Sequence, residues 1–269
     1  MNDNETTTTW RDILAFPLGE RFPKPRNQGL TMVIDKGMGL IETKDILHVS
    51  GNYIDVLKLG FGTSALYKPE ILEEKIYLVR SMGIDIYPGG TFLEVAILQN
   101  KLEEYLHMAR ELGFNAIEVS DGTIFMSDEI REKAVFRAAQ MGFKVFTEVG
   151  KKENTGHQDV GYMVKQVMTD LSRGAYKVIL EGRESGVGVG LYDDTGRFVE
   201  DDMEQLLEGI SDPRVIVWEA PQKDQQHELI TRFGPNVNLG NIPPGEVMAM
   251  EALRVGLRAD TLKNVCENT

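Results

Sequence analysis

Short runs of apolar and β-branched residues alternate along the chain with longer segments whose apolar residues recur at helical spacing. The alternation occurs eight times, and successive runs are mostly about 20 to 40 residues apart, as in strand–helix units. The predicted strands are Thr31–Asp35, Tyr53–Leu59, Ile84–Tyr87, Ala116–Ser120, Lys144–Val149, Lys177–Glu181, Arg214–Glu219 and Asn236–Leu239. The pattern therefore predicts an α/β protein with a parallel sheet.

The segments between these strands carry one apolar stripe each. Leu72, Ile76, Val79 and Met82, for example, fall on one face of a helix. Eight such units favour a closed (β/α)8 barrel of the TIM type, because an open doubly wound sheet usually has fewer strands. The open sheet is the alternative. We expect a single domain, with a polar N-terminal tail and lead-in segment over residues 1–20 and the barrel over residues 21–269.

Composition and charge narrow the classes of partner. The 269 residues are 42% hydrophobic and 26% charged, and their net charge is −13 at pH 7. An acidic surface repels nucleic acid and anionic membranes, so we expect neither as a partner. Cys266 is the only cysteine, and no stretch approaches the ~20 apolar residues of a membrane span. We expect a cytoplasmic homo-oligomer that acts on small molecules.

Polar residues close the predicted strands on one face. Val56 and Lys58 share a face of strand two, and Phe146 and Glu148 share a face of strand five, with apolar residues between them. The same alternation predicts a polar layer at the top of the barrel pore, where barrel enzymes place their active sites. Its members are Asp35, Lys58, Glu118, Glu148, Glu181, Glu219 and Asn238.

So many carboxylates need compensation by cations. A divalent metal or interleaved basic residues would supply it. Asp and Glu oxygens without a histidine cluster suit Mg²⁺ or Mn²⁺ better than Zn²⁺. Basic residues near the strand ends suit an anionic substrate, and Pro88-Gly89-Gly90 allows close approach of backbone N–H groups. For each charged residue the alternative is a purely structural ion pair.

A helix near the C-terminus carries a separate charged group. Glu251, Arg254 and Arg258 are three and four residues apart. This spacing is typical of ion pairs on the surface of a helix, which contribute a few tenths of a kcal/mol, about 0.3–0.5. We therefore expect these residues to be exposed.

Several strings at the predicted strand ends resemble the phosphosulfolactate synthase family. They are GLTMVIDKG, YIDVLKLGFGTSALY, IYPGGTFLE, IEVSDG, TEVGKK, ILEGRESG, WEAPQK and NLGNI. The resemblance as a whole spans roughly residues 26 to 262. The resemblance implies a barrel that adds sulfite to phosphoenolpyruvate with Mg²⁺, giving (2R)-2-phospho-3-sulfolactate. Carbon protonation at C2 then requires a general acid.

Given this resemblance, we assign roles to individual residues. Lys152 is the expected general acid, with Lys151 as the alternative. Asp35 and Glu148 are the expected metal ligands, with Glu181 and Glu118 as substitutes. The expected substrate-binding residues are Lys36, Lys58, Arg183, Gly89, Gly90 and Asn238.

Two other functions remain open at this point. One is a different metal-dependent barrel lyase or aldolase that acts on a phosphorylated enol or keto acid. The other is a non-catalytic role, because plant heat-stress-associated proteins also resemble this family. Product analysis with and without sulfite distinguishes the first alternative, and Mg²⁺-independent suppression of protein aggregation would indicate the second.

Overall fold

The computed structural model describes residues 9–150, 159–182, 185–188 and 190–267. Within these ranges eight strands form one parallel sheet. The strands are β1 (Thr31–Asp35), β2 (Val56–Leu59), β3 (Asp85–Tyr87), β4 (Ala116–Val119), β5 (Lys144–Val149), β6 (Lys177–Leu180), β7 (Ile216–Glu219) and β8 (Leu239–Ile242). All eight predicted strands are present, and the (β/α)8 barrel is confirmed.

Helices alternate with the strands. They are α1 (Leu40–Ser50), α2 (Pro69–Ser81), α3 (Gly90–Leu98), α4 (Leu102–Glu111), α5 (Asp128–Gln140), α6 (Val160–Ser172), α7 (Glu200–Gly209), α8 (Lys223–Phe233), α9 (Val247–Arg254) and α10 (Ala259–Glu267). The sequence explains several helix starts: Pro69 opens α2, and the Ser127 side chain accepts a hydrogen bond from the Ile130 amide at the start of α5. In the described ranges no helix is long and apolar enough to span a bilayer.

The strands follow one another around the barrel in the order β3-β2-β1-β8-β7-β6-β5-β4. The ends of this sheet, β3 and β4, are joined by a side chain. Asn115, just before β4, accepts from the Ile86 amide at 3.0 Å and donates to Asp85 at 2.7 Å. A side-chain amide thus replaces backbone ladder bonds at the seam.

Two apolar layers lie on either side of the strands. The inner cluster fills the lower pore and contains Met32, Val56, Tyr87, Ala116, Phe146, Ile179 and Val217. The rings of Tyr87 and Phe146 are 5.6 Å apart in it. The larger outer cluster packs the other strand face against the helices. The pore is therefore a packed core below its polar top, as expected for a barrel of this size.

The predicted orientation of strand one is wrong. Met32 belongs to the inner cluster and Val33 to the outer one, so Asp35 faces the helices and Ile34 faces the pore. Strand eight was predicted three residues too early, because it begins at Leu239 and not at Asn236. At strands two, four, five, six and seven the predicted inward residues agree with the structure.

The prediction of exposed ion pairs is wrong for Glu251 and Arg254 of α9, whereas Arg258, which follows α9, is partly exposed and lies 3.7 Å from Asp260. Arg254 has no exposed side-chain surface, and its guanidinium donates to the carbonyl oxygens of Pro235 and Val237 at 2.8 and 2.6 Å. Glu251 is buried and bonds to Arg21 at 2.8 Å. These residues close the N-terminal end of the barrel by satisfying backbone groups there.

Candidate active site

A cavity of about 270 Å³ opens at the C-terminal ends of the strands. Its lining combines acidic side chains, one lysine and glycine-rich backbone: Ile34, Lys58, Gly60, Phe61, Gly89, Gly90, Thr91, Glu118, Glu148, Glu181, Glu219 and Asn241. The strand alternation explains this composition. Five strands, β2, β4, β5, β6 and β7, each place an apolar residue in the inner cluster and, two positions later, a polar residue at the cavity floor.

Lys58 lies at the centre of this floor. Its Nζ atom is 3.0 Å from Glu118 Oε2, 3.3 Å from Glu219 Oε1 and 3.5 Å from Glu148 Oε2. The three carboxylates come from β4, β7 and β5. One cation is thus shared by three buried anions, and the group as a whole keeps an excess of negative charge.

The pKa values reflect this imbalance. Burial lowers the pKa of Lys58, but the nearby Glu118, Glu219 and Glu148 more than offset it, and the pKa is raised well above the ordinary value. Burial raises the pKa of Glu219 to about 7, although Lys58 opposes the shift. Lys58 is therefore a fixed positive charge, whereas Glu219 exchanges its proton near neutral pH.

Among the described residues, Glu148, Glu181 and Glu219 form a group that could hold a metal ion. Their ligand oxygens all lie within 4.8 Å of one another, and all three side chains are buried. Carboxylate oxygens are the preferred ligands of Mg²⁺ and Mn²⁺. A divalent cation would also supply the charge that Lys58 alone does not, so the residues present fit such an ion.

Glu118 has a different role from these three. Its Oε1 atom accepts a hydrogen bond from the Gly90 amide at 2.9 Å, and its Oε2 atom is the one that contacts Lys58. A Cβ atom at Gly90 would lie 2.4 Å from both Glu118 Oε1 and Ser120 Oγ. Gly89 has φ +82°, and a Cβ there would meet the Leu59 carbonyl oxygen at 2.6 Å. Both glycines are required for the first turn of α3 to reach the cavity floor.

Neighbouring side chains and amides hold the ends of β5 and β7, which carry Glu148 and Glu219. Arg131 of α5 is buried, pairs with Asp170 of α6 and donates to the Glu148 carbonyl oxygen at 2.9 Å. Tyr192 donates to the Glu219 carbonyl oxygen at 2.7 Å, and the Gly182 amide donates to Glu219 Oε2 at 3.0 Å. Rigid backbones and held carboxylates are the basis of a preorganised site.

The structure does not place Asp35 at the cavity. Its side chain forms a fully buried ion pair with Lys75 of α2 and accepts from the Gly37 and Met38 amides, both at 2.7 Å. Lys75 also donates to the Tyr67 hydroxyl at 3.0 Å. Asp35 therefore shapes the turn after β1 and joins it to α2, and its predicted place among metal ligands is corrected.

Asn238 also lies away from the cavity. Its amide donates to the Ile216 and Arg214 carbonyl oxygens at 2.8 and 2.9 Å and accepts from the Leu30 amide at 3.0 Å. These partners lie at the N-terminal ends of β7 and β1, opposite the cavity. Because β8 begins later than predicted, Asn241 lines the cavity where Asn238 was expected.

The remaining predicted residues divide into three groups. Lys58, Glu118, Glu148, Glu181, Gly89 and Gly90 all line the cavity. Lys36 follows β1 and is exposed, outside the cavity lining. Lys151, Lys152 and Arg183 lie outside the described residues, at positions that follow Gly150 and Gly182 directly in the sequence.

The structure gives three residues a role that the sequence alone does not assign. Glu219 was expected in the polar layer but was given no role, although its alternation matches that of Glu181. Asn241 was missed with the register of β8. Lys75 stands between Leu72 and Ile76 in the buried stripe of α2, and a lysine within an apolar stripe was an available signal of a buried partner.

Comparison with known proteins yields a consistent set of matches. The family model described as (2R)-phospho-3-sulfolactate synthase (ComA) matches residues 19–260. The chain is 44% identical over 256 residues to the phosphosulfolactate synthase of Methanothermobacter thermautotrophicus, covering 94% of this chain and 98% of that protein. It is also 44% identical over 240 residues to the phosphosulfolactate synthase of Methanocaldococcus jannaschii, covering 88% and 95%.

A solved structure supports the fold alone. The 3-hexulose-6-phosphate synthase from Salmonella typhimurium superimposes with a TM-score of 0.57 at 14% identity, covering 85% of this chain and 100% of that chain. At this identity the likeness concerns the barrel and carries no information about the substrate.

Proposed function

Because the chain belongs to the (2R)-phospho-3-sulfolactate synthase family, we propose that it adds sulfite to C3 of phosphoenolpyruvate in a Mg²⁺-dependent reaction. Protonation at C2 then gives (2R)-2-phospho-3-sulfolactate. The observation that carries this proposal is the acidic cavity floor, where Lys58 lies among Glu118, Glu148 and Glu219 and where Glu148, Glu181 and Glu219 are close enough to share a cation.

The chemistry requires positive charge beside the substrate carboxylate. In the proposed first step the sulfur lone pair of sulfite forms a bond to C3, and the C2–C3 π electrons move towards the carboxylate. A Mg²⁺ ion held by Glu148, Glu181 and Glu219 would supply charge stabilisation for that carboxylate. Lys58 contributes a permanent positive charge at the same floor, because its pKa is raised well above its usual value.

The second step delivers a proton to C2, and no group leaves. We propose Lys152 as the donor and Lys151 as the alternative, because these residues follow β5 directly after Gly150. Gly150 has φ +113°, and a Cβ atom there would lie 2.9 Å from Cβ of Glu181. The chain therefore leaves β5 beside the proposed metal ligands, which is a suitable starting point for a segment that supplies a general acid.

The glycine turn before α3 places the N-terminus of a helix at the cavity. Thr91 and the backbone of Gly89 and Gly90 line the cavity at the first turn of α3. Helix N-termini favour negative charge through their exposed N–H groups. The Gly90 amide already donates to Glu118, so we propose that this turn holds Glu118 in place and that the phosphate group of the substrate lies nearer the mouth of the cavity.

The direct test is an assay of the purified protein with phosphoenolpyruvate, sulfite and Mg²⁺, followed by ³¹P NMR and mass spectrometry. We expect a phosphosulfolactate signal that needs sulfite, disappears with EDTA and is lost in Lys152→Ala. Product without sulfite would favour a different lyase, and absence of product with Mg²⁺, Mn²⁺ or Co²⁺ would contradict the proposal.

The proposed metal site has its own test with a separate readout. Electron paramagnetic resonance measures the binding of Mn²⁺. We expect Glu148→Gln and Glu181→Gln each to bind Mn²⁺ at least about tenfold more weakly than the unchanged protein does. Glu74→Gln is a matched control, because Glu74 is exposed and pairs with Lys44 away from the cavity. Unchanged Mn²⁺ affinity in both cavity variants would exclude this carboxylate group as the metal site.

A further inference from the structure

We propose that the protein has a second anion-binding site, at the N-terminal end of the barrel, for a small oxyanion of the phosphate or sulfate type. A cavity of about 380 Å³ lies there, between residues 11–26, the turn before β2 and the end of α9. The candidate active site is at the opposite ends of the strands, so the two cavities are separate.

The charge of the second cavity is opposite to that of the whole protein. Its lining includes Arg11, Arg21, Lys24 and Arg26 but only two carboxylates, Glu20 and Glu251. The complete chain carries a net charge of −13. This local excess of basic residues attracts small anions. It offsets the repulsion that the acidic remainder of the surface exerts on them.

Three of the four basic residues take part in ion pairs, and one of these is the contact of Arg26 with Asp55 at 3.4 Å. Arg11 pairs with Glu20 in an exposed contact. Arg21 bonds to Glu251 at 2.8 Å, to Asn236 Oδ1 at 2.6 Å and to the Gly29 carbonyl oxygen at 2.6 Å. Arg21 therefore has a structural role in the wall of the cavity, and the capacity for a ligand lies with Lys24 and with the hydrogen-bond donors that Arg26 does not use.

Arg26 has unused hydrogen-bond donors. Its side chain is 4% exposed, and its Nη2 atom donates to the Asn52 carbonyl oxygen at 2.8 Å. The Nε atom is 3.4 Å from Asp55 Oδ1, but neither Nε nor Nη1 has a hydrogen-bond partner. Buried donors of this kind are costly when they stay unsatisfied. These two atoms have almost no accessible surface, so an oxyanion in the cavity would supply the missing acceptors once the guanidinium turns towards it.

Lys24 is the second cation available to a ligand. Its Nζ atom donates to the Gly51 carbonyl oxygen at 2.8 Å, and no carboxylate within the described residues forms an ion pair with it. Burial lowers its pKa to about 8, with Asp55 and Asp85 opposing the shift and Arg26 adding to it. An anion bound beside Lys24 would raise this pKa again, so binding at pH 8 is expected to take up a proton.

Calorimetric titration with sulfate tests the site, because sulfate does not itself titrate near pH 8. We expect saturable binding that is at least about tenfold weaker in Lys24→Gln, the loss typical of one charge-assisted hydrogen bond. Lys24→Arg is expected to keep the affinity, since it keeps the charge. Lys44→Gln is the surface control and is expected to bind like the unchanged protein, and thermal unfolding verifies that each variant is folded.

Proton uptake separates this cavity from any other sulfate site. Titration at pH 8 in two buffers of different ionisation enthalpy is expected to show uptake of about half a proton in the unchanged protein, given the Lys24 pKa of about 8, and none in Lys24→Arg. Equal sulfate affinity in the unchanged protein and in Lys24→Gln would mean an adventitious ion elsewhere and would overturn the proposal. Sulfate and inorganic phosphate should compete, and failure to compete would also contradict it.

Discussion

The Nζ atom of Lys58 lies 3.3 Å from Oε1 of Glu219, although β2 and β7 are not neighbours in the sheet and are separated by β1 and β8. The two side chains meet across the top of the pore, where a single lysine also reaches carboxylates of β4 and β5. The cavity floor is therefore one electrostatic unit contributed by four strands. Its stability and its chemistry depend on the same charges.

Removal of the lysine should destabilise the fold in a pH-dependent way. Lys58→Met leaves three buried carboxylates without their shared cation, and we expect the free energy of unfolding to fall by about 3–5 kcal/mol at pH 8. The loss should be smaller at pH 5, where the carboxylates can take up protons. Urea denaturation measures both values.

The matched control for this change is Lys44→Met. Lys44 forms an exposed pair with Glu74, and such pairs contribute about 0–1 kcal/mol. A loss in Lys58→Met that is the same at pH 5 and pH 8 would show that lost packing, and not charge, causes the destabilisation.

The raised pKa of Glu219 predicts a pH dependence of stability. The folded protein holds this proton up to a pKa of about 7, compared with an ordinary value of 4.5. The folded state therefore loses relative stability as the pH rises from about 4.5 to about 7, by up to about 3 kcal/mol. In Glu219→Gln, which cannot ionise, we expect this part of the slope to disappear.

The measurement compares urea denaturation of Glu219→Gln and the unchanged protein at pH 5 and pH 8, with EDTA present. Addition of Mg²⁺ should reduce the difference between the two proteins at pH 8, because a bound cation favours the charged carboxylate. Parallel stability curves for the two proteins would mean that Glu219 has an ordinary pKa in the folded state.

The buried pair of Asp35 and Lys75 should behave as a structural unit. Asp35→Asn and Lys75→Met each remove one partner from a pair that has no exposed side-chain surface, and each is expected to cost about 3–5 kcal/mol. The double variant should lose about 1–3 kcal/mol less than the sum of the single losses, because both charges are then absent. Chemical denaturation of the four proteins completes the cycle.

The same variants test the correction of Asp35 from metal ligand to structural residue. Asp35→Asn should bind Mn²⁺ with the affinity of the unchanged protein at a temperature where it remains folded, whereas Glu148→Gln should not. A tenfold or greater loss of affinity in folded Asp35→Asn, that is about 1.4 kcal/mol, would return Asp35 to the metal site.

Gly90 packs closely against the side chain of Glu118. We therefore expect Gly90→Ala to impair catalysis more than it impairs folding. A methyl group there would lie 2.4 Å from Glu118 Oε1 and must displace it from the floor. We expect Gly90→Ala to lower kcat/KM by about 100-fold, since small displacements of preorganised groups have effects of this size. Steady-state assays measure the change.

Gly245→Ala is the control for Gly90→Ala. Gly245 also lies after a strand, but a Cβ atom added to it meets no atom within 4 Å. It should therefore leave kcat/KM and stability close to those of the unchanged protein. Similar activity in the two variants would show that Glu118 tolerates displacement.

The sequence by itself determined the barrel, its eight strands and most of the cavity floor. Residues such as Lys58, Glu118, Glu148 and Glu181 each follow an apolar residue two positions earlier, so the two-residue period of a strand assigned their face. The resemblance of the strand-end strings to a known family gave the reaction class, and the family match supports it.

Only the tertiary structure decided the orientation of β1, the register of β8 and the identity of each charge partner. Met32, Val33 and Ile34 are all apolar, so the pattern offered no contrast with which to assign the face of Asp35. Asn238 and Asn241 are both asparagines, and only the pairing of β8 with its neighbours distinguishes the end of the barrel that each one occupies. Partners such as Lys75 for Asp35 are distant in sequence, and a local pattern records the face of a residue but not what lies opposite to it.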